Sequence, residues 1–273
     1  MFQYQGKTAL ITGASAGIGA KFARALAVRG ANVILVARSE DRLRALADEL
    51  ARDHGVRAEA IATDLTRPGA AQDLRAAVDA RGLAVDLLVN NAGFGTHAPF
   101  ETLAPERDGA EVALNVTAVV DLTHLFLPAM LAKGDGAVVN VASLAAFQPT
   151  PYMAVYGATK AFVLSFSEAL WAECRGRGVR VLALCPGATA TEFFDVVGTD
   201  AGVRGAKRTP AQVVATGLRG LEHGRPYAVD GLANYLVAQA SRVLPRGLVA
   251  RLMERVARPR QAAPRQDTVA QHR

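Results

Sequence analysis

Cysteine is nearly absent: two in 273 residues, Cys174 in a helical pattern and Cys185 closing an apolar run. That excludes a disulfide framework and fits reduced core thiols in a reducing compartment. Histidine is scarce too, five in all, and His97 and His124 stand alone, so no metal-ligand cluster is evident and no metal is expected. No run of 18 uninterrupted apolar residues occurs, because Asn115, Asp121 and His124 break the longest candidate. The opening Met1-Phe2-Gln3-Tyr4-Gln5 lacks the basic and apolar regions of a signal peptide. The expectation is therefore a soluble cytoplasmic protein. Internal repeats and a Gly-x-Ser-x-Gly elbow are missing too. Acidic residues run short only at the end: from Arg242 onward eight arginines face Glu254 and Asp267, which accounts for the whole net charge of +6. Residues 1–241 are neutral as a set, and nucleic acid is not an expected partner.

What is present is an apolar chain, 51% hydrophobic, whose length fits one large domain or two small ones. A short buried strand, Lys7 to Thr12, runs into Gly13-Ala14-Ser15-Ala16-Gly17-Ile18-Gly19 and then into a helical pattern through Val28. Strand, glycine turn and helix together suit a pyrophosphate, since the turn admits close backbone approach and the helix start offers unpaired N–H groups. The spacing Gly-x-x-x-Gly-x-Gly departs from the commoner Gly-x-Gly-x-x-Gly. A second strand, Asn32 to Ala37, is followed by Arg38 and Ser39, where an acid would hold a ribose 2′-hydroxyl. A cation and a hydroxyl suit a 2′-phosphate instead, favouring NADP(H) over NAD(H). Helix 41–54, strand 56–62, helix 69–81 and strand 86–89 continue the alternation and call for a parallel sheet with right-handed crossovers. Asp64-Leu65 follows the third strand, where the carboxylate either meets an adenine amino group or makes a helix-capping turn. Asn90-Asn91-Ala92-Gly93 forms a turn after the fourth. Pro105 opens a long helix to about Leu131; its Asn115 should bond its own backbone or hold a water.

Ser143 to Lys160 is the stretch that carries chemistry. A helix over 155–166 puts Tyr156 and Lys160 one turn apart on one face. A tyrosine of pKa about 10 needs a nearby cation to serve as acid or base at neutral pH. At ~4 Å and an effective dielectric of ~20 the attraction is on the order of 4 kcal/mol, or roughly three pKa units before desolvation. Ser143 ends the apolar strand Ala137 to Ala142, on the sheet edge where ligands bind. Strand Val179 to Cys185 leads to Pro186-Gly187, residues 188–209 form a candidate lid, and Thr209-Pro210 cap a helix to about Glu222.

In order and at their spacing, Thr12-Gly13-x-x-x-Gly17-x-Gly19, Asp64, Asn90-Asn91-Ala92-Gly93, Asn115, Ser143, Tyr156-x-x-x-Lys160 and Pro186-Gly187 resemble the short-chain dehydrogenase/reductases over residues 5–230. The resemblance implies an α/β fold: a Rossmann-type, doubly wound, seven-stranded parallel sheet with helices on both faces. It implies a nicotinamide cofactor and hydride transfer between a carbonyl and a secondary alcohol. Tyr156 is then the proton donor, Ser143 holds the carbonyl oxygen, Lys160 bonds the nicotinamide ribose and lowers the tyrosine pKa, and Asn115 holds a relay water. The cofactor set is Gly13, Ser15, Gly17, Ile18, Gly19, Arg38, Ser39, Asp64, Leu65, Asn91, Ala92, Gly93, Tyr156, Lys160, Pro186, Gly187, Thr189 and Thr191. Ala37-Arg38 resembles the NADP-preferring members, although Ala16 stands where many of those carry a basic residue. Phe94, Ser143, Phe147, Gln148, Met153 and Phe193 are the expected substrate contacts, which favours a lipophilic ketone, alcohol or acyl chain. A 3-oxoacyl thioester reductase and a hydroxysteroid dehydrogenase both fit, and a non-catalytic NADP(H)-binding redox sensor or scaffold is the alternative. A homodimer or homotetramer is implied.

Three segments follow: residues 1–231 as the dinucleotide-binding and catalytic domain, 232–260 as an amphipathic helical extension split by Pro245, and 261–273 as a disordered tail. The extension pairs apolar Leu248, Leu252 and Val256 with Arg251, Arg255 and Arg258. It suits a pocket lid, a subunit contact or peripheral contact with an anionic membrane.

Overall fold

The computed structural model describes residues 2–193, 197 and 207–258. The expected disordered tail at 261–273 and much of the expected lid at 188–209 lie outside them. Seven strands form one parallel sheet in the order β3-β2-β1-β4-β5-β6-β7. They are β1 Thr8–Thr12, β2 Asn32–Ala37, β3 Ala58–Ala62, β4 Leu87–Asn90, β5 Gly136–Val141, β6 Val179–Cys185 and β7 Tyr227–Val229. The central strands are continuous apolar runs because helices cover both faces. One face carries α1 (Gly17–Ala27), α2 (Glu40–His54) and α7 (Pro210–Glu222), packed through Phe22, Leu26, Leu43, Leu50 and Leu218. The other carries α3 (Ala70–Asp79), α5 (Ala118–Lys133) and α6 (Ala154–Cys174), through Leu74, Leu122, Phe126 and Val163.

The long helix expected from Pro105 is present but not uniform. α4 (Pro105–Val112) passes through a π-helical turn, Ala113–Thr117, into α5. By length and composition Pro105–Lys133 could cross a bilayer. Here α5 packs on β4, β5 and α3, with Leu122, Phe126 and Met130 buried. α7 starts with the expected cap: Gln212 N donates to Thr209 Oγ1 at 3.3 Å, and Thr209 N donates to Gln212 Oε1 at 3.0 Å. Beyond β7, the chain adds α8 (Leu232–Val243) and α9 (Arg246–Ala257), with Pro245 between them. Strand order reverses between β1 and β4, so the carboxyl ends of those strands open a crevice at the switch point.

Candidate active site

The turn after β1 is built around its glycines. Gly13 and Gly17 have φ of +64° and +56°, the left-handed region where a Cβ is strained. At Gly19 a Cβ would overlap the Gly13 carbonyl and stand 2.6 Å from Asn91 Nδ2. Gly19 is buried and does not line the crevice, so it serves the turn's own packing. Thr12 Oγ1 accepts from Asn91 N (3.0 Å) and Ala92 N (2.9 Å), while Asn91 Nδ2 donates to the Thr12 carbonyl at 2.8 Å. These bonds lock the ends of β1 and β4 side by side.

A crevice of about 600 Å³ runs along this edge. One end is lined by Gly13, Ser15, Gly17, Ile18, Arg38, Ser39, Asp64 and Leu65; the middle by Asn91, Ala92, Gly93, Ser143, Tyr156, Lys160, Pro186, Gly187, Thr189 and Thr191. Arg38 is exposed and makes no hydrogen bond or ion pair with a described residue. Asp64 makes the capping-type turn, its Oδ1 accepting from Thr66 N (3.0 Å) and Thr66 Oγ1 (2.7 Å), and these bonds hold the carboxyl below its usual range. It still lines the crevice, so the two sequence readings of Asp64 are compatible.

At the centre, α6 begins at Ala154 and carries Tyr156 and Lys160 one turn apart into the same crevice. Ser143 follows β5, its Oγ accepting from Ala145 N at 3.1 Å and lying within hydrogen-bonding reach of the Tyr156 phenol. The expected lysine-acidified phenol is corrected here. Lys160 is buried, its Nζ donates to the Val141 carbonyl at 2.8 Å, and it stands 5.8 Å from the tyrosine ring centroid. Burial pushes the Tyr156 phenol up to about 12, only partly opposed by Ser143, and pushes Lys160 down to about 8. The Coulomb argument fails because the ammonium is aimed at a carbonyl and the hydroxyl has lost solvent.

Asn115 bonds other segments rather than its own helix backbone: Phe94 N donates to Oδ1 (3.2 Å), and Nδ2 donates to the Phe94 carbonyl (2.9 Å) and Thr159 Oγ1 (3.1 Å). Both amide protons are used in tying the β4 loop to α6, while Oδ1 keeps one lone pair free to accept a further hydrogen bond. The π-helical turn is where this buried amide is accommodated.

At the far end of the crevice Phe94, Gln148, Met153 and Phe193 are lining residues, with the Phe193 ring 5.5 Å from that of Tyr156. Phe147 is not among them; it packs on Tyr227 at 5.8 Å, in the core beneath β6 and β7. Sequence reasoning missed His97, Arg107, Asn234, Met253 and Ala257, all of which line the crevice, Asn234 against Gly187. Met253 and Ala257 belong to α9, which reaches back over the crevice. His97 Nε2 is 2.8 Å from the Ala257 carbonyl, and Tyr152 OH donates to Glu254 Oε1 at 2.9 Å. Tyr152, between the crevice-lining Pro151 and Met153, has φ of +65°, a conformation costing about 1–2 kcal/mol for an L-residue. No local sequence signal marks this residue.

A parallel sheet with a glycine turn at its switch point and a serine–tyrosine–lysine cluster beside it defines a dinucleotide-binding α/β protein. The family described as short chain dehydrogenase matches residues 7–201, and the chain belongs to it. The very-long-chain 3-oxoacyl-CoA reductase of Bos taurus is 33% identical over 195 residues, 70% of this chain and 62% of that protein. The chain thus matches under two thirds of the length of such curated relatives. A short-chain dehydrogenase from Sphingobium yanoikuyae, solved in complex with NADPH, is 35% identical, with a TM-score of 0.78 covering 94% of this chain and 98% of that one. A 3-ketoacyl-(acyl-carrier-protein) reductase from Brucella melitensis, solved with NADH, is 32% identical, with a TM-score of 0.73 covering 83% and 97%.

Proposed function

We propose that this protein is an NADP(H)-preferring oxidoreductase that interconverts a carbonyl and a secondary alcohol on a lipophilic substrate. The observation that carries the reading is one continuous crevice, with the glycine turn and Arg38 at one end, Ser143, Tyr156 and Lys160 at its centre, and an apolar chamber beneath α9 at the other. The nicotinamide cofactor, when bound, supplies or accepts the hydride. Gly13, Ser15, Gly17 and Ile18 would receive its phosphates, Arg38 and Ser39 a 2′-phosphate, Asp64 and Leu65 the adenine, and Asn91 to Gly93, Pro186, Gly187, Thr189 and Thr191 the nicotinamide half. Gly19 supports the turn from below. Cationic, unpaired Arg38 supports the NADP(H) preference.

Ser143 Oγ orients the substrate oxygen, and Tyr156, protonated at neutral pH, donates to it. Lys160, pushed down to about 8, is an ammonium over most of the neutral range and is the proton source from which the phenolate left by donation is restored. Asn115 holds the Phe94 loop and α6 in register. The wall of Phe94, Met153, Phe193, Met253 and Leu114 supports a ketone with an apolar body or an acyl chain, and α9 supports the lid role for residues 232–260. Phe162, 41% exposed and stacked on Phe166, supports assembly as a homodimer or homotetramer through α6. The outer face of α8 and α9, with Leu232, Leu236 and Val243 beside Arg242, Arg246 and Arg251, supports peripheral contact with an anionic membrane from the cytoplasm.

The test is a screen of apolar ketones and secondary alcohols with both nicotinamide cofactors, on wild type and Tyr156→Phe. Turnover with NADPH that the variant loses while still binding the dinucleotide is the expected result. Dinucleotide binding without turnover of any compound by wild type would instead identify a sensor or scaffold.

A further inference from the structure

Glu111 has no role in the site as described, and its setting is unusual. It is fully buried in α4, one turn before Asn115. Its Oε2 accepts from Thr96 Oγ1 at 2.9 Å, whereas among the described residues the equally buried Oε1 has no partner and no cation forms an ion pair with the carboxyl. A carboxylate so placed is costly, and a carboxylic acid much less so. α4 packs on α6, and the charge of Glu111 is felt by both Lys160 and Tyr156. The charged groups facing it are Arg107 and Asp108 from its own helix and Lys160 from α6. Asn115 Oδ1 and Lys160 Nζ meet at Gly93, where an added Cβ would lie 2.8 and 3.3 Å from them. The acid therefore stands one helical turn behind the point where the clamp and the lysine converge.

We propose that Glu111 is a proton-exchanging positioning residue of this site, a buried carboxyl that trades a proton with Lys160 through an intervening water and so sets the lysine's charge during turnover. The proposal rests on the reading of Tyr156 as proton donor. In reduction, the carbonyl carbon receives a hydride and its oxygen takes the Tyr156 proton. The phenolate is restored by a proton relayed from the Lys160 ammonium, the resulting amine takes the proton of the Glu111 carboxyl, and the carboxylate is reprotonated from solvent. One hydride and one proton enter the product, and the protein returns to its starting state. The electrostatics of the pair agree with the exchange. Burial raises the carboxyl to about 7 and lowers the lysine to about 8, so the two groups compete for a proton on nearly equal terms. An ionised Glu111 also favours the ammonium, so its loss must lower the lysine's affinity for a proton.

The test compares the pH profile of kcat/KM for ketone reduction between wild type, Glu111→Gln and Glu111→Asp. Gln keeps the Thr96 bond but cannot titrate. Its profile should lose its alkaline limb at lower pH, by about 1 unit, so that the deficit grows from small at pH 5.5 to about tenfold above pH 9, and Asp should move the limb back. A Gln profile that superposes on wild type after one scale factor would mean that Glu111 only tethers Thr96, and overturns the proposal. Infrared spectra read the carboxyl directly and need no turnover: a protonated-carboxyl band that titrates near neutrality in wild type and is missing from Glu111→Gln is expected. Absence of that band in wild type also overturns the proposal. A band present in a protein that turns over no ketone counts for the exchange and against the reductase reading.

Discussion

Tyr156, Lys160 and Glu111 have ordinary identities and shifted ionisations, and the shifts make predictions. The Lys160 ammonium, with its pKa lowered to about 8, is present below that pH and lost above it, so kcat/KM for reduction should fall as pH rises through about 8. Lys160→Arg, which stays charged, should remove that limb at a cost in rate; a limb that persists in the arginine variant would assign it to another group. Glu111 also couples to stability. Its folded pKa, about 7, lies above the ordinary 4.5, so the folded state holds the extra proton between those values. Its contribution is complete below about pH 4.5 and is lost as pH rises through 7, on the order of 3 kcal/mol. Urea unfolding should therefore show Glu111→Gln more stable than wild type at pH 8 by up to that amount, and much closer to it at pH 5. The residue types and their order were legible in the sequence. Their ionisations were not, because burial of Tyr156 and the turn of Lys160 toward Val141 depend on β5 and on the loop from β4, which are distant in the chain.

At the scale of elements, the expected strands and helices are present with ends moved by a few residues, since periodicity marks the middle of an element better than its ends. Strand Val179–Cys185 and the capped start of α7 match their expected positions. The π-helical turn at Ala113–Thr117 was not legible, because the cause is Asn115 reaching Phe94 and Thr159 from across the fold. Joining β7 to α7 is a buried carboxylate: Asp230, with Arg208 donating Nε and Nη2 at 2.9 Å each and Thr216 Oγ1 at 2.8 Å. Arg208→Ala should cost about 3–5 kcal/mol in chemical denaturation by leaving that charge uncompensated. A loss under about 1 kcal/mol would show that water reaches Asp230. Gly19→Ala should abolish dinucleotide binding, measured by nicotinamide fluorescence, because the added methyl collides with the Gly13 carbonyl and Asn91.

Across the whole molecule, the C-terminal helices join the chain's last described segment to the crevice. α9 buries Val249 and presents Met253 and Ala257 to the crevice, while Leu248, Leu252 and Arg251 face outward. Glu254→Gln weakens the tether to Tyr152 and should raise KM for apolar ketones several-fold with kcat little changed; an unchanged KM would mean that α9 does not close the crevice. For the outer face, Arg251→Glu with Arg255→Glu should abolish co-sedimentation with anionic vesicles and leave turnover of a soluble ketone intact. Equal sedimentation of wild type and variant would rule out this face as the contact.

The amino-acid order alone determined the parallel sheet, the glycine turn and the pairing of phenol with amine, because each rests on local spacing: buried strands, a turn that needs glycine, and one helical turn between Tyr156 and Lys160. Only the tertiary structure decided which of those groups face the crevice, where α9 lies, and that an acid sits unpaired behind the lysine. Those outcomes depend on solvent exclusion and on contacts between residues far apart in the chain, and no local pattern encodes either.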